Sequence, residues 1–466
     1  MSKNKEFAET YLGTLGIFLP MIGMVGGILT MSICGMRGTS NMQAACFLAM
    51  VLGWLVYKDK KKFQSAVIKG IQSPVLANLI PVMLLSCVLG ELLVAAHLSD
   101  GLLYWATKMN LSPALMPLLI FGIGALVSLA SGSSAAAITS LRPILLPMAY
   151  AMGCNPALCT GALIASGQVG DNLAPISDST IASAMTQEVD VSKAFRYRIK
   201  YSVLCGLVSA VLYAVCGYIQ SPGSLSETAQ ADATYAASVA FLVIPIIIMV
   251  IMLKTNNFFN AVLTGELVCI IMLLAFGYTD IKTIFASDGL IAGGLAASTS
   301  TVIFLILVFV VISICNEAGC MEAIQEILES KAGNSVAKTE IIGSLTATIS
   351  VCMIGAGSSS ISFCGPIVRN IMRKTKISRA RTASIIGGIC SAGGSTLPWS
   401  GMIGAMPAMV VAAGGAPEGF SGMEIIPYIF YCIIMFVVYW VLTLTGIDRK
   451  METDEELAAD GIVLET

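Results

Sequence analysis

The sequence predicts an all-α polytopic membrane protein built from two inverted-topology repeats, each with a re-entrant hairpin and a broken transmembrane helix. The 466 residues are 56% hydrophobic and only 12% charged, with a mean hydropathy of +0.85. Soluble domains carry about 25% charged residues, whereas several apolar runs in this chain approach the ~20 residues of a membrane-spanning helix. Two Gly-, Ser- and Pro-rich stretches, 113–190 and 337–415, also resemble each other at a constant spacing. These observations predict a duplicated membrane protein.

Charge and cysteine usage exclude other classes of protein. The 26 Lys and Arg residues and 28 Asp and Glu residues give a net charge of -2, so the sequence has no basic surplus for nucleic acid. The 14 cysteines are scattered without a CxxC pair, which is typical of small core residues rather than metal ligands or disulfides. His97, the only histidine, ends an apolar run and is interpreted as an interfacial side chain. No cofactor is predicted.

A shift of 223 residues relates the two halves. Five positions in the first half become five similar positions in the second: Gly132, Pro143, Gly170, Pro175 and Ser177 become Gly355, Pro366, Gly393, Pro398 and Ser400. The apolar runs fall at 11–34, 42–57, 72–96, 201–220, 235–253, 258–278, 293–315 and 426–445. Constant internal spacing indicates a repeat. The predicted organisation is a cytoplasmic N-terminus (1–10), a first repeat (11–220), an external linker (221–233), a second repeat (234–443) and a cytoplasmic acidic tail (444–466).

Basic residues predict that the two repeats are inverted. Lysines line the loop 58–69 and basic residues fill 193–200, whereas the equivalent stretches of the second half are poor in them. Conversely, 369–381 is strongly basic and its counterpart 146–158 has no Lys or Arg. Because Lys and Arg favour the cytoplasmic side, the copies are expected to lie upside down relative to each other. With 113–152 and 337–372 as re-entrant hairpins, about ten full crossings put both termini in the cytoplasm.

Two short segments before the hairpins, 98–110 and 321–331, have the apolar and polar faces of interfacial amphipathic helices. They are interpreted either as a hydrophobic rim of the bundle or as arms that link a fixed scaffold to a moving core. The sequence leaves both interpretations open.

The Gly, Ser and Pro breaks at membrane depth predict the position of a site. Irregular backbone within a bilayer is tolerated only where it faces protein or a cavity, and paired breaks in two halves are typical of transporter binding sites. Serines occupy both hairpin tips, and Asp171 and Asp178 of the first copy correspond to Gly394 and Gly401 of the second. Buried carboxylates in a membrane are expensive and usually functional.

Carboxylate, hydroxyl and carbonyl oxygens suit a hard cation, and carboxylates also bind protons. The sequence therefore predicts a sodium site at Asp171 and Asp178 in which sodium and protons compete. The candidate ligands are Asp171, Asp178, Ser177, Asn172, Ser133, Ser134, Ser358, Ser359, Ser395 and Thr396. Secondary candidates are Glu91, Glu266 and Arg142. For Asp178, an ion pair with Arg142 or capping of the following half-helix is the structural alternative.

The segment GDNLAPISDST (170–180), preceded by SGSSAAA (131–137) and followed by FRYRIKYS (195–202), resembles the NhaC-type sodium/proton antiporter family of the ion transporter superfamily. The family pattern is close to GDxxSPxSDT, and this chain has Ala174 at the first serine and Ser179 before Thr180. The resemblance implies paired hairpins and broken helices, a homodimer, and a core that moves like an elevator past its scaffold. It also implies a multi-pass protein of the cell inner membrane that serves pH homeostasis.

The main functional prediction is a secondary active transporter that exchanges sodium for protons by alternating access. The alternative is a sodium- or proton-coupled carrier of an organic anion or amino acid, in which Arg142 and half-helix ends face a carboxylate. A channel is disfavoured because the inverted breaks do not predict a continuous pore. An enzyme is disfavoured because no GxSxG or HExxH motif is present.

Overall fold

The structure is a computed structural model that describes the following residues: 9–34, 39–109, 111–132, 134–174, 177–220, 233–255, 257–320, 322–323, 326, 335–373 and 375–453. All regular elements in these ranges are helical, with two isolated β-bridges, Thr10 to Tyr57 and Ile377 to Met451. Among the described residues, eight helices are long and apolar enough to cross a membrane, or ten if each of two bent helix pairs forms one span. The prediction of an all-α polytopic membrane protein is confirmed at this level.

The first half of the chain forms ten α-helices in the part that the structure describes. They are α1 (Thr14–Ile33), α2 (Thr39–Val56), α3 (Lys60–Ile71), α4 (Pro74–Ala95), α5 (Leu98–Lys108), α6 (Met116–Ser131), α7 (Ser134–Ala151), α8 (Pro156–Leu173), α9 (Asp178–Thr186) and α10 (Val191–Gln220). The amphipathic segment predicted at 98–110 is helical as α5, which buries Leu98, Leu102 and Leu103. It ends on Lys108, a charge that complements the carboxyl end of a helix.

Within its described residues, the second half forms ten further α-helices after a 3-10 helix at Ala233–Leu242. They are α11 (Val243–Thr255), α12 (Phe258–Phe276), α13 (Ile281–Phe285), α14 (Leu290–Glu317), α15 (Val336–Ile354), α16 (Gly357–Arg373), α17 (Arg379–Gly394), α18 (Gly401–Ala412), α19 (Gly422–Ile425) and α20 (Phe430–Thr445). The chain bends by 60° between Gly422–Tyr428 and Phe430–Thr445. Most of the predicted arm 321–331 and of the predicted linker 221–233 lies outside the described residues.

One local expectation was wrong. The lysine-rich connection 58–69, expected to be a loop, is mostly the helix α3. Asp59 caps this helix, since its side chain accepts hydrogen bonds from the backbone N–H groups of Lys61 (2.8 Å) and Lys62 (3.4 Å). An Asp at the N-cap satisfies amides that have no partner within the helix. Lysine has a favourable helix propensity, so this lysine-rich segment remains helical on the surface.

Helix starts in the two halves recur at the sequence spacing of 223 residues. α7, α8 and α9 begin at Ser134, Pro156 and Asp178, and α16, α17 and α18 begin at Gly357, Arg379 and Gly401. The largest buried cluster joins both hairpins and both interrupted helices with α10 and α20. A second cluster lies mainly among α1, α2, α4 and α14, and a third among α4, α5, α11 and α12. The polar breaks are therefore packed together in one body.

Candidate functional site

Both hairpins turn at a glycine in the left-handed conformation. Gly132 ends α6 with φ +65° and Gly355 ends α15 with φ +68°. Their backbone N–H groups donate to the carbonyls of Ser128 and Val351, each at 2.8 Å. This is a common helix C-cap, and it favours glycine because a Cβ is strained at such φ values. The tips at 132 and 355 thus have the same geometry in the two halves.

The first interrupted helix is held by hydroxyl groups. α8 ends at Leu173 and α9 begins at Asp178. The backbone carbonyl of Asp171 accepts hydrogen bonds from Ser177 Oγ (2.9 Å), Ser179 Oγ (2.8 Å) and Thr180 Oγ1 (3.1 Å). These donors replace the backbone N–H group that an unbroken helix would supply. The predicted break lies here, although Pro175 itself is outside the described residues.

The second interruption uses different partners. α17 ends at Gly394 and α18 begins at Gly401. Between them, Trp399 Nε1–H donates to the carbonyl of Cys352 at 2.7 Å, and the side chain of Ser400 accepts from the N–H of Ile403 at 3.3 Å. Trp399 therefore joins this break by a hydrogen bond to the end of α15, which is the first helix of the hairpin in the second half.

A cavity of about 220 Å³ lies where the interrupted helices meet the hairpin tips. Its lining residues are Val75, Leu79, Ser134, Gln168, Asp171, Ser179, Phe309, Gly355, Ala356, Gly357, Ser358, Ser359, Ser391, Gly394, Ser395, Gly401 and Met402. Several of them are equivalent under the 223-residue shift, for example Gln168 with Ser391 and Asp171 with Gly394. The cavity is therefore lined by corresponding positions of the two halves, with the carboxylate on one side only.

Asp171 lines this cavity, and its carboxylate has no basic partner in the described part of the chain. Oδ1 of Asp171 accepts a hydrogen bond from the backbone N–H of Ser134 at 3.3 Å. Ser134 begins α7, and the positive end of a helix dipole stabilises a nearby anion. Within the described ranges, no Lys, Arg or His forms an ion pair with this carboxylate. Backbone and hydroxyl dipoles surround it instead.

The structure brings together five of the predicted ligands in the cavity lining, namely Asp171, Ser134, Ser358, Ser359 and Ser395. Asn172 and Ser177 are buried beside the lining, and Oδ1 of Asn172 has no hydrogen-bond partner among the described residues. Thr396 Oγ1 donates back to the carbonyl of Ala392 at 3.1 Å. Ser133 lies outside the described residues.

Asp178 lies apart from the cavity lining. It is the first residue of α9, its side chain is exposed, and Ser177 holds the N-cap position before it. The alternative of an ion pair between Asp178 and Arg142 is wrong in this structure. Arg142 is buried and donates instead to Met409 Sδ (3.0 Å) and the carbonyl of Ser86 (3.2 Å). A carboxylate in the first turn of α9 is stabilised by the helix dipole.

The secondary acids are not part of the cavity lining. Glu91 is half-buried on α4, and Glu266 is buried on α12 with Oε1 lacking a hydrogen-bond partner in the described part of the chain. Three polar lining residues were missed by the sequence predictions: Gln168, Ser179 and Ser391. Gln168 and Ser391 lie one helical turn before Asp171 and Ser395, so helical spacing applied to the repeat was the signal that would have found them.

Comparison with known proteins adds three relatives. Residues 6–218 match the Na+/H+ antiporter family. The chain is 21% identical to the Na(+)/H(+) antiporter NhaC of Alkalihalophilus pseudofirmus, over 93% of this chain and 95% of that protein. It is 22% identical to the malate-2H(+)/Na(+)-lactate antiporter of Bacillus subtilis, over 71% and 74% of the two chains. It is also 28% identical to the arginine/ornithine antiporter ArcD of Halobacterium salinarum over 34% of each chain.

The apolar helices indicate an integral membrane protein, and these matches support an antiporter of cations or solutes and point to a transporter rather than an enzyme. The resemblance predicted from the motif at 170–180 is confirmed, since residues 6–218 match the Na+/H+ antiporter family and an NhaC antiporter is similar over 93% of the chain.

Proposed function

We propose that the protein exchanges sodium for protons across the cell inner membrane, with Asp171 as the shared ligand. The observation that carries the proposal is a carboxylate at a helix break, facing a hydroxyl-lined cavity without a basic partner in the described residues. An intramembrane carboxylate without such a partner needs a cation or a proton to neutralise it. The carboxylate is therefore expensive to bury when neither sodium nor a proton is bound to it.

The donor chemistry around the cavity suits a hard monovalent cation. Ser134, Ser179, Ser391 and Ser395 supply hydroxyls beside the carboxylate of Asp171. Oxygen donors without a thiolate or imidazole favour hard cations over transition metals. The volume of about 220 Å³ is below the roughly 300–1,000 Å³ typical of pockets for drug-sized ligands. It fits a partly hydrated ion or a small solute.

Sodium is cargo in this proposal. When Asp171 faces the side of the membrane with the lower proton concentration, sodium binds to its carboxylate. When Asp171 faces the opposite side, protons displace the sodium ion. Asp178, exposed at the start of α9, is proposed to attract cations toward the cavity. Because cation and proton occupy the same carboxylate in turn, alternating access converts their competition into exchange.

We further propose inverted repeats and an elevator-type motion. The recurrence of helix starts and of the left-handed glycines at a spacing of 223 residues supports duplication. The single buried cluster around hairpins, breaks, α10 and α20 is the candidate mobile core. The clusters of α1–α5 and α11–α14 are the candidate scaffold, which is also where a homodimer contact is proposed.

The test is sodium-evoked proton movement in proteoliposomes loaded with a pH dye. Sodium added outside sodium-free vesicles is expected to enter as protons leave and so to alkalinise the lumen, and Asp171→Asn is expected to abolish the signal. The matched control is Asp288→Asn, since Asp288 is exposed in the connection before α14. If Asp171→Asn retains the flux of the parent protein, the proposal fails.

A second candidate function is favoured by Arg142. This guanidinium is buried without an ion-pair partner in the described ranges, and a buried cation is stable only when compensated. The carboxylate of an organic solute is one such compensating group. Because two of the relatives are named as malate/lactate and arginine/ornithine antiporters, counterflow of labelled dicarboxylates and basic amino acids should be measured. Solute counterflow with no response to sodium and protons alone would favour this candidate.

A further inference from the structure

Arg198 is a fully buried arginine on α10 that contacts the half-helix after the first break. Its Nη1–H donates to Thr180 Oγ1 (3.1 Å), and its Nη2–H groups donate to Ser183 Oγ (2.8 Å) and the carbonyl of Ala383 (3.2 Å). Across the described ranges, no carboxylate forms an ion pair with it. Of the two other fully buried arginines in the described ranges, Arg381 is paired with Glu340, whereas Arg142 also has no ion-pair partner. Arg198 thus donates to two hydroxyls and a carbonyl rather than to an acid.

These contacts fix the direction of two hydroxyl protons. A guanidinium only donates hydrogen bonds, so Thr180 Oγ1 must accept from Arg198. The single proton of Thr180 is then free for the carbonyl of Asp171, which lies 3.1 Å away. In the same way Ser183 accepts from Arg198 and donates to the carbonyl of Thr180 at 2.9 Å. A chain of hydrogen bonds therefore runs from Arg198 through Thr180 to the residue that bears the site carboxylate.

The packing around Arg198 leaves room for its guanidinium beside a glycine. Its terminal nitrogens lie against Gly387 of α17, where a Cβ would occupy the same space. Gly387 is helical, so its conformation does not require glycine, and the close approach of Arg198 accounts for the missing side chain. α10, α9 and α17 meet at this one group.

The chain of hydrogen bonds exists in one half of the molecule only. The positions equivalent to Asp171, Thr180, Ser183 and Arg198 under the 223-residue shift are Gly394, Ile403, Met406 and Ser421. The carboxylate and all three members of the chain are therefore replaced together by residues without these groups. A guanidinium that merely filled space between helices would have no reason to be present only where the carboxylate is.

From this arrangement we propose that Arg198 is a positioning residue for Asp171, acting through Thr180. It holds the first turn of α9 against the last turn of α8, which fixes the backbone from which the Asp171 carboxylate reaches the cavity. The inference rests on the proposed role of Asp171 as the ligand for sodium. It adds a second group without which that ligand is misplaced.

Thr180→Val is the decisive variant because it keeps the volume of the side chain and removes the hydroxyl. We expect the KM for sodium to rise about five- to tenfold, the equivalent of one lost buried hydrogen bond, with a smaller change in kcat. Thr180→Ser restores the hydroxyl and is expected to stay within about twofold of the parent. Arg198→Lys keeps the positive charge but not the planar set of donors of the guanidinium. Its KM for sodium should therefore lie between those of Arg198→Met and the parent.

The matched control is Arg196→Met, since Arg196 is exposed on the same helix, and it should leave the KM unchanged. Parent-like KM values for both Thr180→Val and Arg198→Met, in protein that purifies as folded, would overturn the proposal. So would equal KM values for Thr180→Ser and Thr180→Val. A KM that follows charge alone, restored fully by Arg198→Lys and unaffected at Thr180, would also overturn it.

A double-variant cycle on melting temperature separates this inference from the proposed function. Arg198→Met, Thr180→Val and their combination are melted without any transport assay. Coupled residues give a combined loss clearly smaller than the sum of the single losses. If the parent shows no sodium-evoked proton flux, the proposed function fails while the cycle still reports on the chain. Additive losses would overturn the hydrogen-bonded chain itself.

Discussion

The backbone N–H of Ser134 lies 3.3 Å from Oδ1 of Asp171, which joins the start of one hairpin arm to the carboxylate of an interrupted helix. The contact is made by a helix N-terminus rather than by a lysine or arginine, so the carboxylate is stabilised without being neutralised. This leaves its charge available to a mobile cation. The same contact couples any displacement of the hairpin to the position of the carboxylate.

Ser391 offers a test of the cavity lining from the second half. Its Oγ is buried, lines the cavity and has no hydrogen-bond partner among the described residues. Ser391→Ala is expected to raise the KM for sodium several-fold while the melting temperature stays equal or rises, since no protein hydrogen bond is lost. The matched control is Ser384→Ala, which loses the contact to Tyr439 at 2.9 Å. It should lower the melting temperature and leave the KM unchanged; the reverse pattern would contradict the assignment.

Gly355 tests the hairpin turn. Its φ of +68° is strained for any residue with a Cβ, although the Cβ itself would make only ordinary van der Waals contacts, the nearest with the carbonyl oxygen of Trp399 at 3.5 Å. Gly355→Ala is expected to cost about 1 kcal/mol of unfolding free energy through the backbone alone. Melting of the purified protein measures this. Gly26→Ala on α1, with nothing near its Cβ position, serves as the control and is expected to be neutral or slightly stabilising. Equal melting temperatures for the two variants would contradict the turn geometry.

The ion pair between Arg381 and Glu340 has no solvent exposure on either side chain. Arg449 also pairs with Glu340. Glu340→Gln leaves a buried guanidinium uncompensated, and it is expected to cost about 3–5 kcal/mol of stability. The yield of monodisperse protein and its melting temperature report this loss. Glu340→Met combined with Arg381→Met removes both buried charges and should recover most of it, whereas a double variant as unstable as Glu340→Gln would refute the explanation.

Asp448 lies in the chain segment after α20, and we expect the stability that its contacts contribute to be lost at acid pH. A hydrogen bond from Lys200, followed by one from Tyr201 at 3.0 Å, lowers the pKa of Asp448 below its ordinary value of 3.8. A carboxyl group whose pKa is lowered on folding contributes stability above its unfolded pKa and loses it as the pH falls through the folded pKa. Asp448→Asn should therefore melt earlier than the parent at pH 6, with the gap closing below about pH 4. A gap that is constant with pH would contradict this.

How far the sequence predicted the molecule depends on the kind of interaction involved. Apolar runs and the 223-residue spacing located the spans, both hairpin turns and both breaks, because burial in lipid and helix interruption leave local signals. The outward position of Asp178 and the helical α3 depend on which way a short segment turns after Ser177 or Asp59. Such turns are set by capping contacts, which composition does not reveal.

Long-range contacts were the least predictable. Nothing near Arg142 in the sequence indicates Met409 or Ser86 as its partners, and nothing near Arg198 indicates Thr180. These contacts arise from packing among helices far apart in the chain. Gln168 and Ser391 were within reach, because both follow from helical spacing combined with the repeat.

The most direct measurement of the central claim is proton release on sodium binding to purified protein in weakly buffered detergent solution. If sodium and a proton compete for Asp171, added sodium should acidify the solution in proportion to its binding. Added choline should cause no acidification. Asp171→Asn should neither release protons nor bind sodium at the parent affinity. Sodium binding without proton release, or undiminished release from Asp171→Asn, would contradict the account.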